Sequence, residues 1–174
     1  GFLNTILVPL IAGGSCIIGE RFTAASAFQI PSMFHQYAIN ATWLTPTMVA
    51  LLTRAIRDPA IKAWIRQNVQ HFFIGTAPLP SITAEKFSDL CGRQCLESYG
   101  TSELLLVSTN TANANLFGSV GYPLSCISKI EINGDPAIKS GKLVITSSCK
   151  MIGYLDAEKN QPAYDGRNDM ETGD

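Results

Sequence analysis

The 174 residues carry 13 basic and 14 acidic side chains, a formal net charge of −1. That balance gives no support to a nucleic-acid or anionic-membrane partner. Apolar residues make up 46% and charged residues 16%, which suits a buried core and excludes a disordered chain. The length fits one ordinary domain, or one with a small appendage.

Residues 1–18 are largely apolar but lack the basic region that opens a signal peptide. Pro9, Gly13 and Gly14 interrupt the run, short of the roughly 20 continuous apolar residues of a spanning helix. A buried helix, a Gly-Gly turn and a buried strand over 15–18 are predicted instead. The spacing of Phe28, Met33, Phe34 and Tyr37 predicts a helix with Ser26 as its N-cap. A short strand over 41–44 follows, then a helix opened by Thr45-Pro46-Thr47 and carrying Met48, Val49, Leu51, Leu52 and Ile56. Pro59 restarts the chain into a helix with Ile61, Trp64 and Ile65. A strand over 71–74 stops at Gly75. Ser81 is predicted to cap a helix with Ile82, Phe87 and Leu90 inward, ended by Gly92. A strand over 95–98 stops at Tyr99-Gly100. Strands alternating with helices predict an α/β fold with a largely parallel sheet. From Gly118 the chain turns rich in Gly, Pro, Ser and Lys. Strand patterns over 128–132 and 141–147 flank the turn signal Asn133-Gly134-Asp135-Pro136. The expected division is an α/β part over 1–117 and a small barrel-like β subdomain over 118–174.

Five scattered cysteines, an odd number, do not resemble a secreted disulfide framework; they suit reduced thiols and a cytoplasmic setting. Cys91 and Cys95 are four apart with no histidine near in sequence, so they read as small hydrophobes rather than metal ligands. The ends, Gly1-Phe2-Leu3 and Thr172-Gly173-Asp174, lack the loose polar character of natural termini, so a portion of a longer protein is expected.

Two motifs of small and polar residues follow strand ends, where ligands sit in open α/β sheets. One is Gly75-Thr76-Ala77-Pro78-Leu79-Pro80. The other is Tyr99-Gly100-Thr101-Ser102-Glu103. Tyr99 offers a ring face to a base, Ser102 a hydroxyl to a phosphate oxygen, and Glu103 a hard oxygen to Mg²⁺. Five letters alone equally describe a turn with a solvated glutamate.

The order of segments narrows the choice. Gly75-Thr76-Ala77-Pro78-Leu79 is followed by Tyr99 to Glu103. Next come Gly118-Ser119-Val120-Gly121-Tyr122-Pro123, then Gly141-Lys142-Leu143-Val144-Ile145 running to Gly153-Tyr154, and last Thr172-Gly173-Asp174. Upstream stand Pro9-Leu10-Ile11-Ala12-Gly13-Gly14 and Leu44-Thr45-Pro46-Thr47. In this order the blocks resemble the adenylate-forming superfamily of acyl-CoA synthetases, peptide-synthetase adenylation domains and luciferases, and the resemblance spans the chain.

The resemblance implies a ligase that activates a small carboxylic acid with ATP, releases pyrophosphate, and passes the acyl group to CoA or carrier-bound phosphopantetheine. It implies ATP or AMP contacts at Gly75, Thr76, Ala77, Ser98, Tyr99, Gly100, Thr101 and Asp174. Tyr99 would stack on adenine, with Gly75, Thr76 and Ala77 on the other side. Ser102 would touch the α-phosphate and Glu103 would hold Mg²⁺, the pair forming the catalytic set. Asp174 would bind the ribose hydroxyls. Neither the family's phosphate loop nor its lysine-bearing C-terminal domain is matched by these residues, so the chain alone is expected to be inactive.

Several positions depart from the common pattern. Thr76 replaces a glycine, Ser98 stands where glycine often precedes the tyrosine, and Lys142 replaces a glutamate. Thr146-Ser147 replaces a frequent Arg-Gly, and Met170-Glu171 an aromatic and an arginine. They leave open a non-catalytic nucleotide-binding or regulatory module of the same descent. An unrelated α/β domain with a chance motif is the third possibility.

Overall fold

The computed structural model describes residues 3–135, 140–156, 161–162 and 167–172. The chain divides into two compact units, Gly1–Ser98 with Asn110–Gly121, and Tyr99–Thr109 with Tyr122–Asp174.

The first unit opens with helical turns over Leu3–Leu7 that continue into α1, Val8–Ile11. The Ala12 and Gly14 amides close this segment by donating to Val8 O and Pro9 O, and Gly13 takes a positive φ of 78°. The segment departs from expectation. It buries no residue, Ile11 and Ile18 are 83% and 78% exposed, and 15–18 forms no strand. An apolar run becomes a strand only where a neighbour takes its backbone hydrogen bonds. After a 3₁₀ turn, Ser26–Phe28, comes α2, Ile30–Gln36. Ser26 is not a simple N-cap. The Thr23 amide donates to Ser26 Oγ (2.8 Å) and the Ser26 amide to Thr23 Oγ1 (3.0 Å), the reciprocal pattern of a capping box.

β1, Ala41–Leu44, leads into α3, Pro46–Ala55, where Thr45 Oγ1 accepts the Met48 amide at 3.3 Å. Asp58 Oδ1 caps α4, Pro59–Asn68, accepting the Ala60 amide at 2.7 Å. Both helices carry proline at the first position, whose missing N–H costs nothing there. β2, His71–Ile74, and β3, Cys95–Thr101, flank α5, Ser81–Cys91. β1 pairs β2 in parallel, and β2 pairs the start of β3 in parallel. Val49, Leu52, Ile65, Phe72, Ile74 and Phe87 form the buried centre. Burial of each such side chain contributes about 1.5–3 kcal/mol. Phe72 and Phe87 meet edge to face at 5.0 Å.

In α5 Phe87 and Leu90 face the core as expected, joined by Ala84 and Cys91, while Ile82 is 63% exposed and departs from expectation. Ser81 makes no capping hydrogen bond, and Gly92 ends the helix in the left-handed conformation (φ 71°). Cys91 and Cys95 are core residues. Burial pushes the Cys91 thiol up to about 12 and the Cys95 thiol up to about 11, so both stay neutral.

In the second unit the end of β3 turns into β4, Leu105–Thr109, which pairs antiparallel with β5, Tyr122–Pro123. β6, Ile127–Asp135, pairs with β7, Ser140–Ser147, as far as Asp135↔Ser140. Pro136 of the expected turn lies outside the described residues. β8, Leu155–Asp156, and β9, Gln161–Pro162, form a separate pair, and β10, Asp169–Glu171, runs antiparallel to β7. Leu104, Val107 and Ile145 are its buried centre. The expected barrel-like form is corrected: among the described residues β10-β7-β6 is an open three-stranded sheet. Closure requires every edge strand to be paired, and β6 and β10 are edges. The whole is a mixed α/β chain with a mostly parallel sheet flanked by helices.

Candidate functional site

The sequence-predicted residues fall in both units. In the first unit, Gly75 follows β2 and donates its amide to Leu44 O at 3.2 Å. A Cβ on Gly75 would lie 3.8 Å from the Trp43 ring and 3.9 Å from Ser98 O, so the ends of β2 and β3 are adjacent here. Ser98 is buried, whereas Thr76 and Ala77 are exposed. Thr76 has a φ of 78°, a conformation disfavoured for a β-branched residue. The backbone keeps the glycine-like shape although the side chain is threonine. Holding a non-glycine residue there costs about 1–2 kcal/mol, while glycine forfeits somewhat less through unfolded-chain entropy. Thr76→Gly is therefore expected to stabilise the chain by up to about 1 kcal/mol, a rise of roughly 2–4 °C in Tm. A fall in Tm by calorimetry would contradict the strain.

Two residues not singled out in the sequence fix this part. Glu97 Oε2 accepts the Leu79 amide at 3.1 Å, tying the segment after Gly75 to β3. Asn110, 1% exposed, donates through Nδ2 to Glu97 O (3.1 Å) and Ser119 O (2.7 Å) and accepts the Leu116 amide at 2.8 Å. Truncating its side chain would remove the hydrogen bonds to the Ser119 carbonyl and the Leu116 amide, at about 0.5–1.5 kcal/mol each. The available signal was an asparagine closing an apolar strand just before the Gly118-Ser119 block.

In the second unit, Tyr99 to Glu103 form the end of β3 and the tight turn into β4. The strand does not stop at Tyr99-Gly100 as expected. Gly100 lies so close to the returning chain that a Cβ would sit 2.1 Å from Leu105 O. Tyr99 is half-buried against Leu104, Val107 and Ile145. Thr101 Oγ1 accepts the Leu104 amide at 3.2 Å, Ser102 is exposed and Glu103 is half-buried. The Met151 amide donates to Glu103 O at 2.7 Å, and the Tyr154 hydroxyl donates to the Glu103 carboxylate. The Tyr154 hydroxyl, then its own amide and the Thr101 hydroxyl, hold the Glu103 carboxyl below its ordinary range. Glu103 is thus an accessible, ionised carboxylate at neutral pH. The same bond raises the Tyr154 hydroxyl above its ordinary range.

Asp174 lies outside the described residues. Thr172 is buried and donates its amide to Leu143 O at 2.8 Å, anchoring the last block on β7. Two departures from the family pattern face each other: Lys142 Nζ and Glu171 Oε1 form an ion pair at 2.8 Å.

The family whose model is described as AMP-binding enzyme matches residues 1–155. A mitochondrial malonate–CoA ligase of Bos taurus is 26% identical over 154 residues, 83% of this chain and 26% of the relative. A sulfoacetate–CoA ligase of Cupriavidus necator is 28% identical over 183 residues, covering 100% of this chain and 34% of the relative. The chain thus spans about a quarter to a third of these relatives' length. Among solved structures, a malonyl-CoA ligase complex with methylmalonyl-CoA and AMP bound superposes with a TM-score of 0.74 at 23% identity, over 97% of this chain and 36% of that one. An anthranilate CoA ligase in complex with anthranoyl-AMP also gives 0.74, at 18% identity, over 97% of this chain and 33% of that one. No helix of the described residues is long and apolar enough to cross a membrane. With its motifs, its sheet and a family match over most of its length in agreement, the chain belongs to the AMP-binding enzyme family of adenylate-forming ligases.

Proposed function

We propose that the chain is the nucleotide-binding segment of an ATP-dependent carboxylate–CoA ligase. The observation that carries this is Glu103, an ionised, accessible carboxylate on the turn that follows Tyr99. A carboxylate that accepts from the Tyr154 and Thr101 hydroxyls and from its own amide still retains acceptor capacity for a hard cation. Mg²⁺ is commonly held by one or two carboxylates together with substrate phosphates, so the donor set fits. When bound, that ion would neutralise charge developing on the phosphates.

By the family resemblance, Gly75, Thr76 and Ala77 would line adenine, Tyr99 would stack on it, and Ser98, Gly100 and Thr101 would also contact the nucleotide. Ser102 donates to the α-phosphate, and Asp174 accepts from the ribose hydroxyls. A substrate carboxylate oxygen attacks the α-phosphorus and pyrophosphate leaves. The sulfur of CoA, or of a carrier-bound pantetheine, then attacks the acyl carbon and AMP leaves. The chain's part is to position and to balance charge. Groups from outside these residues complete the site, so the isolated chain forms no acyl-adenylate. The non-catalytic alternative draws on Thr76, whose exposed side chain adds bulk where the base is proposed to lie.

Acid-dependent ATP–pyrophosphate exchange separates the two. A full-length ligase carrying this segment is expected to exchange label with at least one member of a panel of small carboxylic acids. Nucleotide binding without exchange for any acid would favour the alternative.

A further inference from the structure

Tyr154 closes the Gly153-Tyr154 block, to which no role has been given. Its ring is 64% exposed, so packing does not explain a tyrosine there. Its hydroxyl is committed to the Glu103 carboxylate. The backbone leads Tyr154 to this meeting. After β7 the Cys149 amide donates to Ser147 Oγ at 3.0 Å, turning the chain. Met151 then docks on the turn through its amide to Glu103 O at 2.7 Å. Gly153, with a φ of 148°, bends the chain in a conformation that side chains rarely adopt, just before Tyr154.

Glu103 is a long side chain on an accessible turn, and fixing such a chain costs up to about 2 kcal/mol of entropy. Its own amide and the Thr101 hydroxyl hold the carboxylate from the turn itself, and Tyr154 is the donor that reaches it from a distant segment. The Tyr154 hydroxyl occupies one acceptor position on Oε1; Glu103's own amide and the Thr101 hydroxyl donate to the carboxylate as well, and of its roughly four lone-pair sites the remainder is open to a cation. Partners of this kind orient a ligating carboxylate, and losing them commonly weakens metal affinity 10–100-fold.

We infer that Tyr154 is the positioning residue for Glu103: its hydroxyl, carried by the segment docked through Met151, presets the carboxylate for a divalent cation. The inference rests on Glu103 being the metal ligand proposed above. Tyr154 acts through Glu103.

The test is Mn²⁺ affinity, read by electron paramagnetic resonance in a full-length ligase with ATP and no carboxylic acid, so that no turnover contributes. Tyr154→Phe, which removes only the hydroxyl, is expected to weaken Mn²⁺ binding about tenfold. In exchange assays the Mg²⁺ concentration at half-maximal rate should rise more than kcat falls. In a Glu103→Gln background, Tyr154→Phe should have no further effect on Mn²⁺ affinity, because coupled residues are not additive. An undiminished effect in that background overturns the inference, as does unchanged affinity in Tyr154→Phe when Glu103→Gln alone weakens binding. If Glu103→Gln leaves Mn²⁺ affinity unchanged, the metal-ligand assignment itself falls and the inference falls with it.

Discussion

Glu103→Ala in a full-length ligase carrying this segment is expected to lower ATP–pyrophosphate exchange by about 10²–10³-fold, the usual loss when one preorganised charge-stabilising group is removed. The turn presents this carboxylate ionised and accessible. Loss of a charge that acts mainly in the transition state lowers kcat and kcat/KM together. Glu103 is half-buried and its partner Tyr154 is exposed, so the fold should tolerate the change. Stability within about 0.5 kcal/mol of the parent is expected, as for most surface substitutions. Exchange within twofold of the parent would remove Glu103 from the catalytic set.

Gly100→Ala is expected to act through the fold instead, costing about 3 kcal/mol or more. A Cβ there would lie 2.1 Å from Leu105 O and 3.0 Å from both Leu105 C and Leu106 Cα, all backbone atoms that no rotamer change can move. Leu105 itself holds a positive φ of 60°, so the turn has little freedom to relax. Gly75→Ala is the contrast. Its nearest neighbours would be 3.8 and 3.9 Å away, ordinary contact, and stability should change by less than about 1 kcal/mol. Chemical denaturation of the two variants decides the matter, and equal midpoints would contradict the account of Gly100. Glycine at 100 is thus demanded by chain geometry alone, whereas at 75 the local packing leaves room for a methyl.

How far this was legible in the sequence depended on whether a local rule decided the element. Thr45-Pro46 and Gly92 mark helix boundaries by backbone chemistry confined to a few residues, and α3 starts and α5 stops there. In α5 the expected Phe87 and Leu90 do face the core, and only Ile82 does not. The small Ala84 and Cys91, on either side of Phe87 at spacings of three and four, complete the buried face, and small residues carry little apolar signal. The 15–18 run is apolar, but strand formation depends on a partner that a single run does not reveal. Composition marks no boundary at Ser98–Tyr99, yet β3 passes from one compact unit to the other there.

The site residues were legible only as an ordered set, because no pentapeptide distinguishes a metal-binding glutamate from a solvated one. Tyr154 and Asn110 work through partners 51 and 13 residues away, separations that no local pattern encodes. The departures at Lys142 and Glu171, 29 residues apart in sequence, meet in the fold as an ion pair across β7 and β10.

The central claim is that a carboxylate oxygen attacks the α-phosphorus of ATP. A full-length ligase given an acid labelled with oxygen-18 in its carboxylate, together with CoA and unlabelled ATP, tests it directly by mass spectrometry of the products. The account predicts one labelled oxygen in AMP for each thioester formed, because the oxygen that attacks phosphorus leaves with it. Unlabelled AMP, or label appearing in inorganic phosphate alongside ADP, would contradict it.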